Sequence, residues 1–203
     1  MTITYEYEGA LYVNLTNRCN CNCVFCLRHG KAEGSIYTED SLWLEHEPSH
    51  EEAMASFLSR DIPSYREIVF CGYGEPTYRI DEIFALVDEL KEKFGDKLPP
   101  VRINTNGHAN LINGRDVCPE LKGRIDTLSI SLNADNAAAY AAICLPIQGE
   151  VAYQAMLDFA GGRQLRSQRG LHHRGQGQNR RGDRKLQAHR RRAGRTAENS
   201  QLY

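Results

Sequence analysis

The chain changes chemical character at Gly161-Gly162, and that break limits what can fold. Residues 163–203 contain no Val, Ile, Phe, Met or Trp and only four Leu, while eleven Arg and one Lys stand against Asp183 and Glu198. So little apolar surface cannot offset the entropy of ordering a chain, and this segment is expected to be disordered. The overall charge of −1 hides the split, with +10 after residue 162 and −11 before it. Any core must lie in residues 1–162, enough for one α/β domain. The N-terminus has no basic stretch followed by an apolar run, and no stretch is long enough to span a bilayer, so a cytoplasmic protein is expected.

Within those residues, short apolar runs alternate with helical patterns. Ala10-Leu11-Tyr12-Val13-Asn14-Leu15 reads as a first strand, Glu67-Ile68-Val69-Phe70-Cys71 as a second, Val101-Arg102-Ile103-Asn104 as a third and Thr127-Leu128-Ser129-Ile130-Ser131-Leu132 as a fourth. Ser49-His50-Glu51-Glu52 has capping-box spacing and opens a helix through about Ser59. Ile83, Leu86, Val87, Leu90 and Phe94 form one stripe of a helix from Asp81 that Gly95 closes, and a further helix covers about 150–160. Strands alternating with helices predict a parallel sheet, whose ligands sit beyond the carboxyl ends of the strands. The unusual residues all fall there: cysteines after the first strand, Gly74-Glu75-Pro76 after the second, Thr105-Asn106-Gly107 after the third and Asn133 after the fourth.

Four of the seven cysteines, Cys19, Cys21, Cys23 and Cys26, fall within eight residues. In a reducing compartment, clustered thiols point to metal and not to disulfides. Cys19, Cys23 and Cys26 have C-x3-C-x2-C spacing, which lets three thiolates bind three irons of a cubane and leave the fourth open. Structural zinc competes, with Cys21 as an extra thiol, but no second C-x2-C occurs. Cys21 is read as a bystander, His29 as a solvated loop residue, and Cys71, Cys118 and Cys144 as small buried groups. Trp43 and Glu45-His46-Glu47 carry no assignment.

The run Cys19-Asn20-Cys21-Asn22-Cys23-Val24-Phe25-Cys26 resembles the radical S-adenosylmethionine (SAM) signature, with Phe25 as its aromatic residue. Gly74-Glu75-Pro76 is similar to that superfamily's Gly-Gly-Glu-Pro motif, with Tyr73 where the first glycine is common. Thr105-Asn106-Gly107 and Ser131-Leu132-Asn133 also look like segments of the superfamily. The resemblance covers residues 11 to about 162, and the compact length looks like the short radical SAM proteins associated with TatD-type nucleases. It implies an α/β fold, a partial (β/α)6 barrel incomplete at its C-terminus. It also implies an enzyme in which Cys19, Cys23 and Cys26 hold a [4Fe–4S] cluster that cleaves SAM reductively to a 5′-deoxyadenosyl radical. Phe25 would pack near the adenine, and Gly74, Glu75 and Pro76 would meet the SAM ammonium. Ser131 or Asn133 would bond the ribose, and Asn104 or Asn106 would face the mouth of the site. An electron donor such as flavodoxin or ferredoxin and a TatD-type nuclease are the implied partners.

Residues 163–203 admit two readings. One is an arginine-rich arm that binds nucleic acid through phosphate contacts. The other is a frameshift near Gly161. Arginine codons of the CGN type, read one nucleotide later, become GNN codons, and the reread segment gives a strand, a turn, an amphipathic helix and a final strand. Those elements are what a six-stranded partial barrel still needs, so the domain expected is 1–162 with an out-of-frame tail at 163–203.

Overall fold

The computed structural model describes residues 1–29 and 42–161. A hairpin opens the chain, with β1 (Thr4–Tyr7) antiparallel to β2 (Ala10–Val13). Its two turn residues, Glu8 and Gly9, have φ of 49° and 73°, the paired left-handed conformation that suits the twist of a tight hairpin. The sequence reading did not include β1. From β2 the sheet continues through β3 (Ile68–Phe70), β4 (Val101–Thr105) and β5 (Thr127–Ile130), each parallel to its predecessor and in chain order. These are the four expected strands, three of them somewhat shorter than read and β4 one residue longer. The expected strands from 163–203 lie outside the described residues.

Helix α1 (His50–Leu58) connects β2 to β3 and starts on the expected capping box. The Ser49 hydroxyl accepts from Glu52 N at 3.2 Å, and Ser49 N donates to Glu52 Oε2 at 2.8 Å. Helix α2 (Ile80–Phe94) connects β3 to β4 and ends at Gly95, whose φ of 53° combined with ψ of −129° only glycine takes without strain. Short helices α3 (Ala109–Asn113) and α4 (Cys118–Leu121) lead to β5. Two helices follow it: α5 (Ala137–Cys144), which the sequence reading passed over, and α6 (Val151–Ala160). Helix α5 is capped by the Asn136 side chain, which accepts from Ala139 N at 2.9 Å.

The two faces of the sheet differ sharply. Leu11, Val13, Ile68, Phe70, Val101, Ile103, Leu128 and Ile130 are buried in one core with the α2 stripe of Ile83, Leu86, Val87 and Leu90. On the other face, register aligns Tyr12, Val69, Arg102 and Thr127 in one row and Asn104 with Ser129 in the next. Arg102 there donates to Glu67 at 2.9 and 3.0 Å and to Asn104 Oδ1 at 2.7 Å. A parallel sheet covered by helices on both faces is apolar on both. A polar second face is what the inner wall of a partial barrel needs, since it lines a ligand cavity. Among the described residues no helix is long and apolar enough to cross a membrane.

Candidate functional site

Past Val13 the chain turns into a loop that is anchored on two sides. On one side, Asn14 Nδ2 donates to Leu42 O at 2.6 Å, and Asn17 exchanges two hydrogen bonds with the Leu44 backbone. Glu47 there accepts from Thr16 Oγ1 at 2.5 Å and from Arg18 Nε at 2.7 Å. On the other side the loop runs antiparallel to the connection between α5 and α6. Asn22 N donates to Cys144 O, Val24 N to Ile143 O and Ile147 N to Asn20 O, at 3.1, 2.9 and 2.8 Å. Between these anchors Cys19, Cys23 and Cys26 are half-buried, while Cys21 is buried.

The turn after β3 is seated against the start of this loop. A Cβ on Gly74 would overlap the Thr16 and Arg18 carbonyl oxygens, and Glu75 N donates to Arg18 O at 2.8 Å. Only glycine allows that approach. Glu75 is buried, and its carboxylate ties the turn to the end of β4. Oε1 accepts from Thr77 N, Thr77 Oγ1 and Thr105 Oγ1 at 3.1, 2.8 and 2.7 Å, and Oε2 accepts from Asn106 N at 2.7 Å. Burial lifts the Glu75 carboxyl above its ordinary range despite these donors. Asn106 completes the knot by donating to Asn20 Oδ1 at 2.8 Å.

The thiols are not equivalent. Hydrogen bonds from the Cys144 and Cys21 thiols hold Cys23 down to about 3, and Cys21 lowers Cys19 in the same way. Donating to those thiolates pushes Cys21 and Cys144 well above the thiol range. Arg28 reinforces the pattern. Its guanidinium donates to the Asn17 and Cys21 carbonyls at 3.0 and 3.4 Å, and its charge favours the thiolate at Cys19 and Cys23. Arg28 Nε is buried with no hydrogen-bond partner among the described residues. Among the described residues no three His, Cys, Asp or Glu side chains are gathered for a single metal ion. The donor set is three half-buried thiols on one loop beside a guanidinium N–H with no acceptor among the described residues, which suits an anionic thiolate-bound cluster.

The family model of the radical SAM superfamily matches residues 13–158, the stretch that carries this site. The chain belongs to the radical SAM superfamily. It is 38% identical over 82 residues to the 7,8-dihydro-6-hydroxymethylpterin dimethyltransferase of Methanocaldococcus jannaschii, over 38% of this chain and 14% of that protein. The structure of TYW1 with a lysine-pyruvate adduct bound is similar at a TM-score of 0.46 and 16% identity, over 74% of this chain and 50% of that one. The radical SAM chain thus spans a seventh of its curated relative and half of its structural one.

The remaining expected residues of this radical SAM domain are placed as follows. Phe25 stands on the cysteine loop, 38% exposed, and Pro76 is buried at the start of the helical turn after Glu75. Ser131 is exposed at the end of β5, held by its N–H to Thr105 O. Asn133 donates to Cys144 Sγ at 3.3 Å. Asn104 accepts from Arg102 on the inner face, and Asn106 is drawn into the knot with Glu75 and Asn20. Cys118 and Cys144 are buried as expected, but Cys71 is only half-buried, and Cys144 reaches Cys23 where it was expected to be an inert packing group. The side chain of His29 lies outside the described residues.

Sequence reasoning missed Arg28, Glu47, His108 and Tyr140. Glu47 lies in the acidic run that carried no assignment. His108 directly follows Thr-Asn-Gly and is fully buried, which pushes its imidazole down to about 4.

Proposed function

We propose that this chain is a radical SAM enzyme in which Cys19, Cys23 and Cys26 hold a [4Fe–4S] cluster. The observation that carries this reading is the half-buried thiol triad beside the Arg28 guanidinium, whose buried Nε has no partner among the described residues. The cluster, when bound, supplies an electron that cleaves the S–C5′ bond of SAM to methionine and a 5′-deoxyadenosyl radical. The chain's own residues do the placing. The loop between the two anchors fixes the three sulfurs, and Arg28 stabilises them as thiolates. Gly74 lets the turn approach the loop closely enough to offer backbone carbonyls to an ammonium group. Glu75 spends Oε1 on structure and keeps a lone pair on Oε2. Phe25 supplies an apolar face for adenine, and Ser131 and Asn133 polar groups for ribose. A four-thiol zinc site would need Cys21, but burial and contacts from His108 and Asn106 occupy that sulfur.

An electron donor of the flavodoxin or ferredoxin kind and a place among the TatD-nuclease-associated proteins belong to the same proposal. So does a core of 1–162 followed by an out-of-frame tail. The test is anaerobic reconstitution followed by strong reduction with SAM. Wild-type chain takes up iron and sulfide and releases 5′-deoxyadenosine, and Cys23→Ala loses both. A chain loaded with iron and sulfide that releases no 5′-deoxyadenosine, even with the tail restored to frame, would overturn the reading.

A further inference from the structure

Both neighbours of Cys19 are tied to Glu75. Before it, Arg18 O accepts from Glu75 N at 2.8 Å. After it, Asn20 Oδ1 accepts from Asn106 Nδ2 at 2.8 Å, and Asn106 N donates to Glu75 Oε2 at 2.7 Å. The links close a ring through Glu75, Arg18, Cys19, Asn20 and Asn106. Asn20 is the member that the proposed chemistry leaves without a task. It is fully buried, and both protons of its Nδ2 are used, toward His108 Nδ1 at 2.9 Å and Gln148 Oε1 at 3.1 Å. The roles cannot be exchanged. An amide nitrogen only donates, so His108 accepts at Nδ1 and carries its proton on Nε2, which lies 3.1 Å from the Tyr140 hydroxyl. Asn106 Oδ1 accepts from His108 N at 3.0 Å, which turns Asn106 Nδ2 toward Asn20. His108 and Tyr140 are also fully buried, and burial keeps water from competing for these groups.

Resting on the cluster assignment above, we propose that Asn20, with His108 behind it, is a positioning residue that fixes Cys19 relative to the Gly74-Glu75-Pro76 turn, so that SAM meets cluster and turn together without reordering the loop. A ligand that bridges two elements must freeze any freedom between them, and its affinity falls by the cost of that ordering. Asn20 and His108 supply no sulfur to the cluster. Their loss should therefore appear in SAM affinity and not in cluster content.

The experiment titrates SAM into reconstituted, reduced protein and follows the change it makes in the electron paramagnetic resonance spectrum of the cluster, beside iron and sulfide content. Asn20→Ala and His108→Leu are expected to carry wild-type iron and sulfide but to need about tenfold more SAM for half the spectral change, the equilibrium equivalent of a buried hydrogen bond lost with its partner left unpaired. His108→Asn keeps an acceptor for Asn20 Nδ2 and should recover most of that affinity. Ile83→Val, a buried change outside the ring, should leave the titration where it was. If Asn20→Ala does not fold, the two His108 variants make the same comparison. Folded, loaded Asn20→Ala and His108→Leu proteins with wild-type SAM titrations would overturn the proposal. So would His108→Asn titrating like His108→Leu, since the imidazole would then act by bulk and not as an acceptor. Folded variants that take up no cluster would overturn it too, since the ring would then build the loop and not place it. A wild type that assembles no cluster, or whose spectrum ignores SAM, sinks the functional reading instead, and the wild-type titration tells the two failures apart.

Discussion

The two halves of this domain are held together by different chemistry. Against the helices, the sheet buries only hydrocarbon: Leu11, Val13, Ile68, Phe70, Val101 and Ile103 pack on α2 with almost no exposure. At the carboxyl ends of the strands, burial is polar. Of the fully buried polar side chains among the described residues, all but Thr4 lie there: Asn14, Thr16, Asn20, Glu75, Thr77, Thr105 and His108. Hydrocarbon burial is non-directional, so it stabilises the fold without fixing any atom closely. Buried polar groups contribute little net stability but tolerate few arrangements, because a misplaced partner leaves an unsatisfied group. The difference teaches that one half supplies free energy and the other supplies position, and substitutions should separate the two.

The largest effect on stability is expected in the apolar half. Phe70 is fully buried and meets Phe57 edge-on at 6.4 Å. Phe70→Ala should cost about 3–5 kcal/mol in urea unfolding. Below the unfolding transition it should still take up a full complement of iron, because Phe70 makes none of the hydrogen bonds that anchor the cysteine loop. Loss of iron uptake in folded Phe70→Ala protein would break the division between the halves.

A smaller loss of stability with a larger loss of function is expected at the strand ends. Gly74→Ala forces a Cβ into the Thr16 and Arg18 carbonyls, backbone that cannot turn away. It should cost about 1–3 kcal/mol and strip the loop of iron. Gly95→Ala is the partner experiment. Its positive φ strains an alanine by about 1 kcal/mol, but a Cβ there meets nothing within 4 Å, so iron uptake should be unchanged. Equal iron contents in the two variants would show that the turn does not shape the cysteine loop.

The apolar half was also the legible half. Period-2 and period-3.6 patterns marked all four parallel strands and helices α1, α2 and α6, because each repeats one residue class along a single element. The hairpin strand β1 escaped because Thr4-Tyr5-Glu6-Tyr7 offers no apolar side chain to one face. Helix α5 escaped because its run of alanines is amphipathic to no visible degree. At the site, spacing was enough to nominate Cys19, Cys23 and Cys26 and the Gly-Glu-Pro turn. It was not enough for Arg28, Glu47, His108 or Tyr140, whose roles come from partners 11 to 32 residues away. Nor did it reveal that Glu75 is largely occupied by Thr77, Thr105 and Asn106. A motif names the residues of a site, and tertiary contacts decide which of their atoms are still free.

The smallest effect belongs to the surface of the apolar half, where His50 bridges α1 to α2. Its Nδ1 lies 2.8 Å from Glu82 Oε1 and its Nε2 2.9 Å from Glu89 Oε2. The Glu89 and Glu82 carboxylates raise its folded pKa above the ordinary value of about 6.5. The folded chain therefore binds this proton more tightly than the unfolded chain does. The resulting stabilisation is complete below about pH 6.5 and is lost as pH rises through the higher folded value. Because the side chain is 31% exposed, solvent screening keeps the contribution under about 1 kcal/mol. Urea unfolding of wild type at pH 6 and pH 9 should show this decline, and His50→Gln should flatten it without altering iron uptake. An alkaline decline of the same size in His50→Gln would mean that the helix bridge is not its source, and a loss of iron would mean that the two halves are coupled through α1.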